Sequence, residues 1–317
     1  MMRDVAVICT RNRPELARSA AHQLLDEVGF EHVVIVDGSD ETPAQQLALM
    51  LEGVRGVEIL RNTPGLARQR NVGAQHVLET TDADLIWWFD DDGDVHSGYR
   101  RAITDVFAED TEGLIGGVGG RVLDDRPRPK GLAAQARNAV KRFFLLYGEE
   151  GRVLRSGRNI QVTSPGPVRE VEWIQGCAAT YRREVLERIR WDDRLIGYSW
   201  GEDFDFSYRV GRTWRLMCVP NAVVVNGFSQ TGRWSTQQLS ATRTVLTHAW
   251  VREQSSMSAA AFWWSLIGEV IYVTSLTLLR VRPHGVDEVR GLVRGMLVVL
   301  RGRGGRDFLH EPQDSEE

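Results

Sequence analysis

The chain has 317 residues, 42% of them hydrophobic, and a formal net charge of −4. That is enough apolar sequence for a sizeable core in one large domain or two, and the charge balance carries no footprint for nucleic acid. Three cysteines, Cys9, Cys177 and Cys218, lie far apart without zinc-type spacing and read as reduced thiols of a cytosolic protein.

The N-terminal stretch MMRDVAVICT reaches a short apolar run at once and has no signal-peptide anatomy. Within it, Val5–Thr10 is rich in β-branched residues and fits a buried strand. Arg11-Asn12-Arg13-Pro14 then places a proline in a first helical turn, which predicts a helix to about Val28. His32–Val36 is a second buried strand, and it ends in the turn-forming cluster Asp37-Gly38-Ser39-Asp40. A helix near Pro43–Glu52, a strand near Val57–Leu60, a helix from Asn62-Thr63-Pro64 to Thr80 and a strand over Asp84–Phe89 follow. This βαβαβαβ order predicts an α/β fold with a mostly parallel sheet covered on both faces, with ligands outside the C-terminal strand ends. Thr10-Arg11-Asn12, Asp37–Asp40 and Asp90-Asp91-Asp92 should therefore meet along one edge. No GxGxxG follows the first strand and no GxxxxGK[ST] occurs, which disfavours dinucleotide-binding Rossmann enzymes and P-loop NTPases.

Ile86–Asp94, IWWFDDDGD, ends a run of large apolar residues in three aspartates. An isolated acid-rich turn is most often just solvated. At the end of a parallel strand, such carboxylates can instead hold Mg²⁺ or Mn²⁺, hard cations that share substrate phosphates, while a neighbour reaches a ribose hydroxyl. A second cluster, Gly201–Arg209 (GEDFDFSYR), reads as a helix start stabilised by the macrodipole. A carboxylate held there would also be oriented as a general base must be.

Together these residues resemble inverting glycosyltransferases of family 2, with the GT-A fold: a Rossmann-like mixed, mostly parallel sheet with helices on both faces. The resemblance covers roughly Val5 to Asn226. TRNRP (Thr10–Pro14) is similar to the opening nucleotide-binding loop, and VDGSD (Val36–Asp40) to the base-contacting turn, one residue short. Asn62–Gly73 resembles the N-x-G-x-x-x-A-R-N-x-G segment, slightly respaced. FDDDGD carries a DxD motif as Asp90-x-Asp92. Glu172–Arg183 looks like the acceptor-side strand and its arginine-bearing helix, and GEDFDFSYR matches the ED motif.

The resemblance implies a nucleotide-diphosphate sugar donor. Thr10, Arg11, Asp37, Arg70, Asp90 and Asp91 would bind it: Asp37 on the base with Thr10 lining the pocket, Arg70 near base or diphosphate, and Asp90 at ribose or metal. Asp92, with Asp90 and Asn226, would hold Mg²⁺ or Mn²⁺. Asp203 would be the general base, with Glu202 orienting the acceptor or supporting that base. Trp173, Tyr198 and Trp200 are candidates for stacking on sugar, although core packing is the commoner fate of such residues. Asn226 departs from the pattern, which often has a metal-binding histidine there. An amide oxygen is a weaker ligand, so the sequence predicts Mg²⁺ tolerance and weak metal retention without nucleotide.

The expected organisation is a catalytic domain over 1–232 with an insertion or mobile loop at 124–167, a helical region over 233–307, and a disordered acidic tail at 308–317. Ala259–Leu279 is long and apolar with one acid, Glu269, and arginines follow it into a second apolar segment, Val286–Leu300. A transmembrane helix, a buried helix and a helix pair lying in the membrane interface all fit; the aromatics and arginines favour the last. The expected partners are a UDP- or dTDP-linked donor, a glycan or lipid-linked acceptor, and the inner face of a cell membrane as a peripheral contact. Two rivals remain. A sugar-nucleotide pyrophosphorylase is disfavoured because TRNRPEL lacks a glycine-rich phosphate loop with a lysine. A non-catalytic scaffold on a decayed transferase fold is disfavoured because Asp92 and Asp203 are both present.

Overall fold

The computed structural model of the chain describes residues 2–123, 132–195, 199–227, 234–282 and 284–302. Tyr198, residues 124–131 of the expected insertion and the acidic tail lie outside the described residues. In chain order the elements begin β1 (Asp4–Thr10), α1 (Pro14–His22), β2 (Val33–Asp37), α2 (Glu41–Met50), β3 (Val57–Arg61), α3 (Leu66–Thr80) and β4 (Leu85–Asp90). They continue β5 (Gly93–Val95), α4 (Tyr99–Glu109), β6 (Ile115–Leu123), α5 (Leu132–Phe143), β7 (Arg169–Val171), β8 (Ala178–Arg182) and α6 (Arg183–Arg188). The last are α7 (Glu202–Val210), β9 (Arg215–Asn226), α8 (Thr236–Glu253), α9 (Ala259–Leu278) and α10 (Gly285–Leu300). The chain divides into two compact units, one of residues 1–125, 162–193 and 202–232, the other of 126–161, 194–201 and 233–317.

The first unit is built on one mixed sheet in the order β3-β2-β1-β4-β8-β6-β9-β5, with β7 also paired to β9. β3, β2, β1 and β4 run parallel. β8 then pairs antiparallel with both β4 and β6. The parallel strands read as unbroken apolar runs because both faces are covered. Strand alternation splits the IWWF run between two cores. Trp87 and Phe89 pack with Phe30 and Tyr99 on one face, whereas Trp88 meets Trp191 on the other, ring centroids 4.8 Å apart. Register fixes the functional rim. Thr10 lies opposite Asp37, Cys9 opposite Asp90, and Asp37 opposite Arg61, so the C-terminal ends of four strands align.

The second unit contains α5 and α8 to α10. α8 opens on a full capping box, with Ser235 and Gln238 each satisfying the other's backbone N–H. Leu195, Val245, Leu246 and Val299 form its apolar centre, with Trp200, Trp234 and Trp263 packed around them. α9 is long and apolar enough to cross a membrane by length and composition alone. Yet its Glu269 is buried in an ion-pair network. Arg158 holds one carboxylate oxygen and Arg243 Nη2 lies 2.7 Å from the other. Glu288 of α10 joins through Arg243 at 4.0 Å and also pairs with Arg282 at 2.9 Å.

Burial alone would raise the Glu269 carboxyl, but Arg158 and Arg243 outweigh it and bring it down to about 2. A depressed acid contributes stability above its unfolded value and loses it as pH falls toward the folded value. Glu288 has the opposite sign, because burial raises it despite Arg282. Glu269→Gln should therefore cost this unit about 3 kcal/mol near neutral pH, and the difference from wild type should shrink between pH ~4.5 and ~2. Urea melts across that window measure it; a pH-independent difference would mean the network does not hold Glu269 ionised.

Candidate active site

The two loops predicted to meet at the rim are tied by hydrogen bonds. Asn12, in the left-handed region at φ 56°, donates its backbone N–H to Ser39 Oγ at 2.7 Å. Its side chain accepts from the Asp40 N–H and donates to Asp40 Oδ2, both at 2.8 Å. The buried Gln69 amide donates to the carbonyls of Thr10 (2.9 Å) and Val36 (2.8 Å), closing the ends of β1 and β2. Asparagine tolerates this conformation, and a glutamine amide satisfies carbonyls that the strands leave open.

The three aspartates have separate environments. Asp91 is fully buried: Thr10 Oγ1 donates to its Oδ2 at 2.6 Å and Arg13 Nη2 lies 2.8 Å from its Oδ1. Burial pushes its carboxyl up to about 7, against the opposing pull of Arg13 and Thr10. Thr10 and Asp91 therefore anchor the acid turn to β1. Asp92 lies 3.7 Å from Arg13 Nη1, and its carbonyl accepts the Gly227 N–H at 2.8 Å. Asp90 keeps 32% of its side chain exposed, facing the rim. Burial of the surrounding strand end still raises its carboxyl, with Arg70 pulling it back and Asp92 adding to the rise.

Arg70 occupies the centre. Its Nη2 lies 3.3 Å from Glu202 Oε1 and 3.7 Å from Asp90 Oδ1. The guanidinium sits 5.9 Å from the ring centres of both Trp88 and Trp191. Burial disfavours that cation, but Glu202 and Asp90 more than compensate and hold it charged. Gly176 makes the room, because a Cβ there would stand 2.4 Å from Arg70 Nη2. Glu202 is pushed well up by burial, with Arg70 opposing and Asp203 adding to the shift. Its Oε2 has no hydrogen-bond partner among the described residues.

Asp203 stands beside it in the first turn of α7. Oδ2 accepts the Gly176 N–H at 3.0 Å and Oδ1 the Phe204 N–H at 2.7 Å, which fixes the carboxylate in one orientation. Asp203 lies near enough to Asp90 and Arg70 to act on both electrostatically. Cys9 underlies the cluster as a thiol, its pKa pushed up to about 12 chiefly by burial, which favours the protonated form.

The remaining sequence candidates are distributed as follows. Asp37 is buried beneath Arg61, whose Nη1 donates to it at 2.6 Å, while the Ser39 N–H donates to its other oxygen at 2.8 Å. Arg61 is 46% exposed and is the group a ligand at this turn would meet first. Arg11 is exposed on the same loop as Thr10. Asn226 pairs across from Gly93, next to the acid turn, and its side chain hydrogen-bonds Cys177. Trp173 is in the core, edge-on to Phe204. Trp200 packs in the helical unit. Arg13, Arg61, Gln69 and Gly176 carry more of the site than the sequence reading assigned them. Arg61 was within reach of a register argument, since it ends β3 level with Asp37. The need for Gly176 was not, because Arg70 approaches it from 106 residues away in sequence.

For a divalent cation, the donor set is hard: Asp90 and Asp92 carboxylates with the Asn226 amide nearby. Among the described residues no three His, Cys, Asp or Glu side chains form a cage. That fits an ion bound through one or two carboxylates with substrate phosphates and water supplying the rest, as Mg²⁺ prefers, and does not fit a preformed structural site.

A family model described as "Glycosyl transferase family 2" matches residues 5–190, more than half of the chain. The chain belongs to that family. No curated protein matches it by sequence. Among solved structures, the mannosyltransferase PcManGT from Pyrobaculum calidifontis, determined with GDP-Man and Mn²⁺, superposes with a TM-score of 0.60 at 15% identity. That match covers 96% of this chain and 88% of the other. GalNAc-T7, determined with UDP, GalNAc and Mn²⁺, gives a TM-score of 0.57 at 14% identity over 85% of this chain. This chain spans only 55% of the GalNAc-T7 chain. At such identities the likeness establishes the GT-A fold. The family 2 architecture predicted from TRNRP, VDGSD, the DxD and the ED motif is therefore the one the chain adopts.

Proposed function

We propose that this family 2 glycosyltransferase moves a sugar from a nucleotide-diphosphate donor to an acceptor hydroxyl with inversion, assisted by Mg²⁺ or Mn²⁺. The observation that carries the reading is Arg70, buried between Asp90 of the donor-side acid turn and Glu202 beside Asp203. One cation thus joins the two carboxylate clusters that donor binding and base catalysis require.

Asp203 accepts the proton of the acceptor hydroxyl as its oxygen attacks the anomeric carbon. The bond from that carbon to the donor's phosphate oxygen breaks, and its electron pair leaves with the nucleotide diphosphate. Two backbone N–H groups keep the Asp203 carboxylate aimed while this happens. Glu202, with one oxygen on Arg70 and the other without a partner among the described residues, is placed to orient an acceptor hydroxyl. Asp90, Asp92 and Asn226 are the residues that would hold the cation. When bound, such an ion supplies charge stabilisation for the departing diphosphate.

At the base, the Asp37–Arg61 pair offers an acceptor beside a donor. It suits a base edge that presents a donor next to an acceptor, such as the N–H and carbonyl of uracil or thymine. UDP and dTDP satisfy this, as proposed from Asp37; guanine presents the same pair, and PcManGT was solved with GDP-Man.

Calorimetry with UDP, dTDP and GDP, each with and without Mg²⁺ or Mn²⁺, tests the reading. One diphosphate should bind only with metal, and Asp92→Asn should weaken it at least ~10-fold by removing a cation ligand. Binding of no nucleotide under any metal would bring the scaffold reading forward. Tight metal binding without nucleotide would contradict the open donor set.

A further inference from the structure

Outside the transferase site, the helical unit carries an apolar stripe that its own core does not use. Trp264, Ile267, Ile271 and Leu278 are exposed and spaced along α9 by three, four and seven residues, so they lie on one face. Leu279 and Val281 extend this apolar surface past the helix end, and Phe143 of α5 adds to it, 65% exposed. Phe143, Phe144 and Trp264 form an aromatic cluster with centroids 4.9–5.2 Å apart. The indole N–H of Trp264 is spent on the Phe143 carbonyl at 2.7 Å, which leaves an apolar surface outward. The stripe runs about 21 Å along the helix.

The charge around it is one-sided. Residues 132–143 and 259–302 contain eight Lys or Arg and three Asp or Glu in a chain whose net charge is −4. All three acids are engaged: Glu269 and Glu288 in the buried network, Asp287 with Arg290 at 3.6 Å. Within these two segments, Lys141, Arg142, Arg280, Arg294 and Arg301 therefore flank apolar surface, and each of the three acids is already paired.

We propose that this face is a docking surface for an anionic lipid bilayer, with α9 lying in the interface rather than crossing it. The far side of α9 decides against crossing, because Glu269 there is held by Arg158 and Arg243. A spanning helix would carry this charged network into hydrocarbon, where polar groups must be satisfied at high cost. An exposed apolar face bearing Trp264 and Phe143, with arginines at its flank, suits the headgroup boundary, and an anionic leaflet complements its charge. The inference does not rest on the transferase reading.

Co-sedimentation of the full chain with vesicles tests it. Vesicles mixing phosphatidylcholine with phosphatidylglycerol should pellet the protein at low salt, phosphatidylcholine alone should bind at least ~10-fold less, and molar salt should release it. Ile267→Glu/Ile271→Glu should lose binding at least ~10-fold while keeping its circular dichroism and melting temperature. Arg280→Glu/Arg294→Glu should weaken only the anionic-vesicle binding. The proposal is overturned if the protein stays in the supernatant, or if the double glutamate variant binds like wild type. It is equally overturned if release needs detergent, which would mean a span. Light scattering covers the remaining occupant: a dimer that the glutamate variant converts to monomer would make this face a self-interface.

Discussion

Asp203→Asn should reduce sugar transfer by about 10²–10⁴-fold and leave donor binding unchanged. The substitution removes the proton acceptor and one local contact. An amide oxygen still accepts the Gly176 N–H, now at 3.0 Å from Oδ2, while the amide nitrogen cannot accept the Phe204 N–H that Oδ1 now takes at 2.7 Å. The donor-side residues Asp90, Asp92 and Arg61 keep their environments. Release of nucleotide diphosphate in the presence of acceptor gives the rate, and calorimetry with nucleotide and metal gives the affinity. A rate within tenfold of wild type would remove Asp203 from the base role and turn attention to Glu202. A parallel loss of donor affinity would mean instead that α7 had shifted. The pH–rate profile adds a second readout, since loss of a general base removes its acidic limb whereas a packing defect lowers the profile evenly.

Much of this arrangement is legible in the sequence because it rests on local rules. Apolar runs covered on both faces, each followed by turn residues, define β1, β2 and β4, and parallel register then forces Thr10, Asp37 and Asp90 to one rim. The helix after TRNRP extends into a π turn, Gln23–Glu27, close to the predicted end at Val28. What the sequence does not show is long-range pairing. The antiparallel half of the sheet, β8 with β4 and β6, follows no local period. α8, the 18-residue helix that packs against α10, has mixed polarity all round because it is buried on several sides, and periodicity alone passes over it. Arg70 reads as a donor-binding arginine by its motif, and the structure seats it between Asp90 and Glu202. Its burial depends on a missing Cβ at Gly176 and on the rings of Trp88 and Trp191, and none of these is near it in the chain. Asp37 reads as a base-pairing carboxylate by its motif, and its contact with Arg61 comes from the neighbouring strand end.

Arg70→Met should destabilise the protein by about 3–5 kcal/mol, the cost of stranding buried carboxylates without their cation. Methionine approximates the length of the side chain and its packing between the two tryptophans, so the loss reports mainly on charge. Glu202→Gln alone should cost less, because the guanidinium retains Asp90 at 3.7 Å. The double variant Arg70→Met/Glu202→Gln should then recover more than about 1 kcal/mol relative to the sum of the single changes, the signature of a direct pair. Denaturant melts of the four proteins close the cycle; additivity would show that the 3.3 Å contact carries no coupling in solution. Activity should separate from stability in the same set. The double variant regains part of the lost stability but still lacks the Arg70 cation between Asp90 and Glu202. It should therefore remain inactive under conditions where it is folded. If transfer returns together with stability, Arg70 is a structural cation only, and the link between the two carboxylate clusters is packing rather than electrostatics.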